Sequence, residues 1–255
     1  MRDYNLGFIS NEKIYEHTKI TVNKYRFDIN LKDFNKNIID PIKLTFDHKV
    51  YKRPIEIVIE DEIFRQIDKS NTNHIGYFHQ NIFNYFGNGW EVPITGYDII
   101  NKKLNIYVEM KNKHNTMNSS SSQKTYMRMM NTLLKIPNAN CLLVEIISKN
   151  SQNNIWKMSL DGIPFTNGSI RRVSIDRFYE MVTGDKLAFK KLCEKLPIII
   201  EDIVNDGLFK TGTNSVIEEL KNINHNLIKS LYLTSFKKYE GFDENLIFDN
   251  SSIVL

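Results

Sequence analysis

A mixed α/β fold is predicted for this chain: a central β-sheet of mixed strand direction, flanked by helices and followed by an extra helical region at the C-terminus. Two observations predict it. Short runs with period-two apolar alternation lie between longer runs with helical spacing. Between residues 61 and 147 these follow the order helix, three strands, helix, strand, which assembles as helices on a sheet. The 255 residues are enough to bury a substantial core. With 41% hydrophobic and 25% charged residues the composition is that of a globular protein rather than a disordered one.

The elements follow in order. Asp40-Pro41 marks a break, because a residue before proline avoids helix. After it IKLTFD and IEIVIE alternate with period two and are predicted as extended segments. A helix is predicted over residues 61 to 86, with an interruption near Ser70-Asn71; Ile75, Phe78, Ile82 and Phe86 give its apolar stripe, and Gly87-Asn88-Gly89 ends it. WEVPI, YDII and NIYVEMK are three short strands, the last two joined by a turn at Asn101-Lys102-Lys103. Pro93 gives the first an edge position. In NSSSSQKTYMRMMNTLLK the serines offer N-caps, and Met127, Met130, Leu133 and Leu134 form the apolar stripe of a helix that Pro137-Asn138 stops. CLLVEII is a buried strand, IWKMSL a further one, and residues 175–183, 185–205 and 214–236 are helical. The domain division expected is an N-terminal segment (1–60) packed on a core (61–175), with a C-terminal helical region (176–255), all in one compact body.

The net charge of +4 is mildly basic and permits an anionic partner without requiring one. Its distribution says more. From Asn101 to Val144 the chain carries Lys102, Lys103, Lys111, Lys113, Lys124, Arg128 and Lys135 against the single acid Glu109. Such a stretch suits a surface that meets phosphates, and is also what a solvated basic face looks like. Cys141 and Cys193 read as small buried hydrophobes, with no disulfide framework or zinc spacing. The first ten residues lack the apolar region of a signal peptide, and no stretch approaches the ~18 apolar residues of a membrane span. The expectation is a cytoplasmic protein with no membrane partner.

The chemistry concentrates in the strand NIYVEMK. Side chains alternate along a strand, so Ile106, Val108 and Met110 share one face while Tyr107, Glu109 and Lys111 share the other. If residues 101–104 turn the chain, YDII pairs with this strand and brings Asp98 beside Glu109. Two carboxylates and an ammonium then converge, a set that suits phosphodiester hydrolysis. Asp98 and Glu109 can hold Mg2+, with the Met110 carbonyl as a third ligand, since this ion takes oxygen donors and keeps several waters. Lys111 can orient the attacking water or take its proton. The expected products carry 5′-phosphate and 3′-hydroxyl ends. The bare pattern is also that of a solvent-facing charged pair on a hairpin.

The element order and the signature Asp98, Glu109-Met110-Lys111 resemble the PD-(D/E)XK nuclease superfamily. More narrowly, VEMKNKHNTMNSSSSQKTY and the preceding GYFHQNIFNYFGNGWEVPITGYDI are similar to a type II restriction endonuclease family that cuts GGNCC, as are LVEIISKNSQNNIWKMSLDG and RRVSIDRFYEMVTGDKLAFKKLCEKLP. The likeness spans residues 40 to 197. Two departures stand out. Tyr97 replaces the proline before the aspartate, and His79 and Gln80 stand where the helix of many superfamily members carries a glutamate; Gln80 is the expected equivalent.

The resemblance implies a restriction-endonuclease-like fold, double-stranded DNA as substrate, a near-palindromic site cut after the first G, a homodimer with one centre for each strand, and a cognate DNA methyltransferase in the same system. It also directs attention to DNA contacts. Lys113 and His114 are candidates for phosphate, Asn115 and Asn118 for base edges, and Ser119 for phosphate at a helix N-terminus. Gln123, Lys124 and Arg128 project from the first turns of that helix; Arg171 and Arg172 are the arginine forks available for guanine. A structure-selective repair or recombination nuclease with the same centre, an RNA nuclease, and a non-catalytic DNA-binding protein are the alternatives the residues leave open.

Overall fold

The computed structural model describes residues 3–114, 117–160, 162–207 and 212–248. Helix α1 (Asn11–Val22) starts at Ser10, whose hydroxyl accepts from the Lys13 N–H, and α2 (Leu31–Lys36) starts in the same way at Asn30. The two segments read as extended from their alternation are helical. IKLTFD lies in α3 (Pro41–Val50), with Asp40 as N-cap and Pro41 in the first turn, where a missing N–H costs nothing. IEIVIE opens α4 (Ile55–Asn81). Six residues of alternation do not separate the two periods. Extended to Ile63 and Ile67, the buried positions Val58, Ile59, Ile63 and Ile67 fall at helical spacing. Ser70-Asn71 does not interrupt α4, and a short 3-10 turn (Ile82–Tyr85) follows it. Gly87, Asn88 and Gly89 then take positive φ (69°, 52° and 84°), which turns the chain into the sheet.

The strands β1 (Trp90–Glu91), β2 (Ile99–Asn101) and β3 (Ile106–Lys113) are followed by α5 (Ser119–Lys135) and β4 (Asn140–Ile147). The stripe of α5 overlaps the predicted one only in part: Met130 and Leu133 pack against the core beside the fully buried Tyr126 and Met129, while Met127 and Leu134 are exposed. IWKMSL is two strands, β5 (Asn153–Ile155) and β6 (Met158–Leu160), the latter paired with β7 (Ile163–Phe165) in a separate ribbon. After β8 (Ile170–Ser174) come α6 (Ile175–Thr183), α7 (Ala188–Asp206), α8 (Val216–Ile223) and α9 (Leu227–Ser235). The helix predicted over 214–236 is thus broken after Ile223. Cys141 is buried as expected; Cys193 is exposed, on the outer side of α7.

The chain forms two compact units, Met1–Lys24 with His74–Leu208 and Tyr25–Asn73 with Phe209–Leu255. The boundaries drawn from composition at 60 and 175 do not coincide with these units. The second unit is helical, with Phe34, Leu44, Ile59, Ile63, Val216 and Leu220 in its core. The first contains a six-stranded sheet in the order β1-β2-β3-β4-β8-β5. β3, β4 and β8 are parallel to one another; on one side β2 pairs antiparallel with β3 and β1 antiparallel with β2, and on the other β5 pairs antiparallel with β8. The sheet is therefore mixed and flanked by helices, as predicted.

Its two faces differ. Val108, Leu142, Val144 and Val173 are buried on one. On the other, Cys141, Leu143 and Ile170 pack against Tyr126, Met129 and Trp156. The register Glu109↔Leu143↔Arg172 and Lys111↔Glu145↔Ser174 puts all six of these side chains on the α5 side, toward the carboxyl ends of the parallel strands. Among the described residues no helix is long and apolar enough to cross a membrane.

Candidate active site

The β2–β3 hairpin has the register that the carboxylate pair requires. Ile99 pairs with Val108, so one step further Asp98 stands across from Glu109, and the Asp98 N–H donates to the Val108 carbonyl at 3.0 Å. Asp98 Oδ2 accepts from the Met110 N–H at 2.7 Å. The Gln80 amide, at the end of α4, donates to the Asp98 carbonyl at 3.1 Å. Gln80 thus fixes the backbone of Asp98 rather than pointing at a second carboxylate. Its neighbour His79 is packed against Phe78, and burial pushes its pKa down to about 4. Burial raises the Asp98 carboxyl above its ordinary 3.8; the Met110 N–H pulls it back down, and the Glu109 charge adds to the rise.

Glu109 is 9% exposed and has a cation on each oxygen. Lys111 Nζ lies 2.8 Å from Oε1, and the Arg128 guanidinium, reaching down from α5, is paired with Oε2. Arg128 also donates to the Gly96 carbonyl at 3.3 Å and lies over the Tyr97 ring, 4.6 Å from its centroid. The Tyr97 hydroxyl bonds to Thr132 on the next turn of α5 at 2.8 Å, and burial raises its pKa. The residue standing where the superfamily label has proline therefore forms the floor of an arginine socket. Glu109, Lys111, Ser121, Lys124 and Arg128 line one open cleft; Asp98 stands beside it and is not part of its wall.

The donor set fits a hard divalent ion in kind. It offers two carboxylates in facing positions and the backbone of β3, and the ionic partners already on Glu109 mark a place that favours positive charge. Among the described residues no group of three or more His, Cys, Asp or Glu side chains is gathered for a metal. Such a centre therefore relies on the two carboxylates, the Met110 carbonyl and water. The Met110 side chain itself is buried on the opposite face, as the alternation predicts.

The remaining candidates separate into groups. His114 Nδ1 lies 2.9 Å from Glu145 Oε2, and Arg172 Nε lies 2.8 Å from Oε1 of the same carboxylate. Ser148 donates to Glu145 Oε2 at 3.2 Å. Arg171 is on the other face, tied to the Asn153 side chain at 2.6 Å, so the two arginines do not act as a pair. Asn118 caps α5 by accepting from the Ser121 N–H at 2.8 Å; the serines do not, and Ser119 is exposed in the first turn. Gln123 donates to the Ser159 carbonyl at 3.3 Å, while Lys113 is exposed at the end of β3. Asn115 lies outside the described residues.

Sequence reasoning missed Glu145, which is 1% exposed. Its signal was there: a lone charge inside the apolar run CLLVEII has to be paired. It also missed the socket of Gly96 and Tyr97, for which no sequence signal existed.

With this geometry in place, comparisons give the following. The family described as Eco47II restriction endonuclease matches residues 6–205. The chain is 30% identical to the type II restriction enzyme Sau96I of Staphylococcus aureus over 226 residues, covering 84% of this chain and 87% of the relative. It is 29% identical to the type II restriction enzyme Eco47II of Escherichia coli over 221 residues, 81% of this chain and 91% of that one.

Proposed function

This chain belongs to the Eco47II restriction endonuclease family and is a type II restriction enzyme, a site-specific deoxyribonuclease acting on double-stranded DNA; from that premise we propose that it makes Mg2+-dependent double-strand cuts at the near-palindrome GGNCC, with Asp98, Glu109 and Lys111 as its centre. The observation that carries this reading is the hairpin register that sets Asp98 across from Glu109, with Lys111 Nζ 2.8 Å from the latter.

Asp98 and Glu109 would hold the ion, with the Met110 carbonyl as the protein's further ligand. Bound there, Mg2+ supplies charge neutralisation at the phosphate and a more acidic water. Lys111 donates to the attacking water and orients it in line with the scissile phosphorus. The new P–O bond forms from that water as the P–O3′ bond breaks. One proton of that water is released to solvent, the departing 3′ oxygen takes one from solvent and leaves as a hydroxyl, and the 5′ end keeps the phosphate. Gln80 holds the Asp98 backbone so that the carboxylate stays opposite Glu109.

Each chain contributes one such trio, so cutting both strands of a two-fold site calls for a homodimer. Lys113, His114, Asn115, Asn118, Ser119, Gln123, Lys124, Arg128 and Arg172 are the residues proposed to meet DNA; Arg171, tied to Asn153 on the other face of the sheet, is set apart from them. A DNA methyltransferase of the same specificity is the expected companion, since host DNA needs protection from this activity. Digestion of a plasmid of known sequence with and without Mg2+, followed by sequencing of the ends, tests the reading. It expects cuts at GGNCC after the first G with 5′-phosphates; cutting without a divalent ion, or at unrelated positions, overturns it.

A further inference from the structure

Both oxygens of Glu109 are occupied, one by Lys111 and one by Arg128. Each oxygen keeps a second lone pair, but a divalent ion brought to either one repels the cation already there and favours its withdrawal. Three features single out Arg128 as the one that moves. It comes from a different element, α5, whereas Lys111 belongs to the same strand as Glu109, two residues on. It has other partners, the Gly96 carbonyl and the Tyr97 ring, that hold its guanidinium near the centre once it has left the carboxylate. And its Nε–H is buried without a hydrogen-bond partner, so the pose on Glu109 leaves one donor of its fork unsatisfied. The same cleft that holds this guanidinium is lined by Lys111, Lys124 and Ser121, donors suited to a phosphodiester. A planar guanidinium matches two phosphate oxygens better than an ammonium does.

We propose that Arg128 is a catalytic residue of this centre: its guanidinium occupies the Glu109 carboxylate in the metal-free protein and turns to the scissile phosphate when a divalent ion takes that carboxylate. This rests on the proposed metal reading and adds a role for α5. The helix delivers a cation to the site of charge build-up, and the same cation keeps the buried carboxylate paired while the ion is absent. Arg128 thus competes with the ion for Glu109 and assists it in the reaction, two effects of opposite sign that a plain phosphate contact would not combine.

The test is a pair of measurements on the full chain carrying Arg128→Gln or Arg128→Lys. Ca2+ binding without DNA is followed by calorimetry, and single-turnover cleavage is followed at saturating Mg2+. Arg128 is 40% exposed at its side chain, so neither change leaves a cavity. Arg128→Gln should bind Ca2+ roughly two- to fivefold more tightly, the range expected for freeing a partly exposed ion pair. It should cleave about 100-fold more slowly, the scale of one lost transition-state donor. Arg128→Lys should hold Ca2+ within about twofold of the parent and still lose most of the rate, because it lacks the fork. Unchanged or weaker Ca2+ binding in Arg128→Gln, or undiminished cleavage, overturns the proposal. A Glu109→Gln control separates the two readings. If it binds Ca2+ like the parent, the metal assignment itself fails; if its binding is lost while Arg128→Gln binds as the parent does, only the role of Arg128 fails.

Discussion

Glu109 and Glu145 are two buried carboxylates on the same face of the same sheet, one on β3 and the other on the neighbouring β4. Each is held by one basic group from β3 or its end and one arginine from elsewhere: Lys111 and Arg128 for Glu109, His114 and Arg172 for Glu145. They differ in what surrounds that pairing. Glu109 opens on a cleft and has Asp98 across the hairpin. Glu145 is 1% exposed and takes a further hydrogen bond from Ser148. A carboxylate with an anionic neighbour and open space is suited to recruit a cation from solution; one closed in by its own partners is suited to fix them. The lesson is that the same ion-pair chemistry serves two ends, decided by access and by the neighbouring charge.

The comparison breaks most sharply at Glu109→Gln. Cleavage should fall by at least about 10²–10³-fold, with little change in denaturant midpoint, since the amide keeps the shape and a Lys111 hydrogen bond. A quenched-flow assay beside urea unfolding reads both; a loss of stability with cleavage intact would exchange the roles of the two glutamates. Glu145→Gln should do the reverse. Leaving Arg172 and His114 with a neutral partner costs about 1–3 kcal/mol, below the figure for a fully buried pair because both are about one-quarter exposed, while Ca2+ affinity stays at the parent value. Next in size is the contrast between adjacent arginines. Arg172→Ala should weaken DNA binding by about 1 kcal/mol in a filter or anisotropy assay, whereas Arg171→Ala, tied to Asn153 on the other face, should change it by less than about twofold. Equal losses for the two would detach Arg172 from the Glu145 group.

The smallest effect on stability concerns Asp98. Its carboxyl is raised above 3.8, chiefly by burial with the Glu109 charge adding to it. A raised carboxyl favours the folded state below its unfolded pKa, and that contribution is lost as pH climbs through the folded value. At pH 7 ionised Asp98 therefore costs stability. Asp98→Asn should melt at an equal or slightly higher temperature than the parent at pH 7, with the gain fading toward pH 3, and should not cleave. A lower melting temperature at pH 7 would show that the Met110 N–H contact outweighs the burial.

What the sequence made legible was the hairpin. Period two along NIYVEMK put Glu109 and Lys111 on one face and Met110 on the other, and the turn read at Asn101-Lys102-Lys103, which falls at residues 102–105 with Asn101 still in β2, is what aligns Asp98. The N-terminal helices were misread because six-residue runs such as IEIVIE satisfy both periods, and only burial of Ile63 and Ile67 further along decides for the helix. The stripe of α5 was half right, with Met130 and Leu133 on the core, because methionines at 127, 129 and 130 offer several phases and the tertiary choice centred on Met129 with Tyr126. Arg128 was visible as a basic residue near the site, but its carboxylate partner was not, since nothing in local spacing ties position 128 to position 109. Glu145 was legible as a lone charge in an apolar run, but its partners, like the Tyr97 floor, are products of the parallel β3–β4–β8 arrangement and the helix that covers it, which no short motif encodes.

The central claim, that Asp98 and Glu109 together hold the divalent ion, is tested most directly by anomalous scattering from crystals of the protein soaked in Mn2+. If they do, one strong peak stands between the two carboxylates, within bonding distance of both, with Arg128 withdrawn from Glu109. A peak elsewhere, or none while Lys111 and Arg128 still hold Glu109, would contradict it.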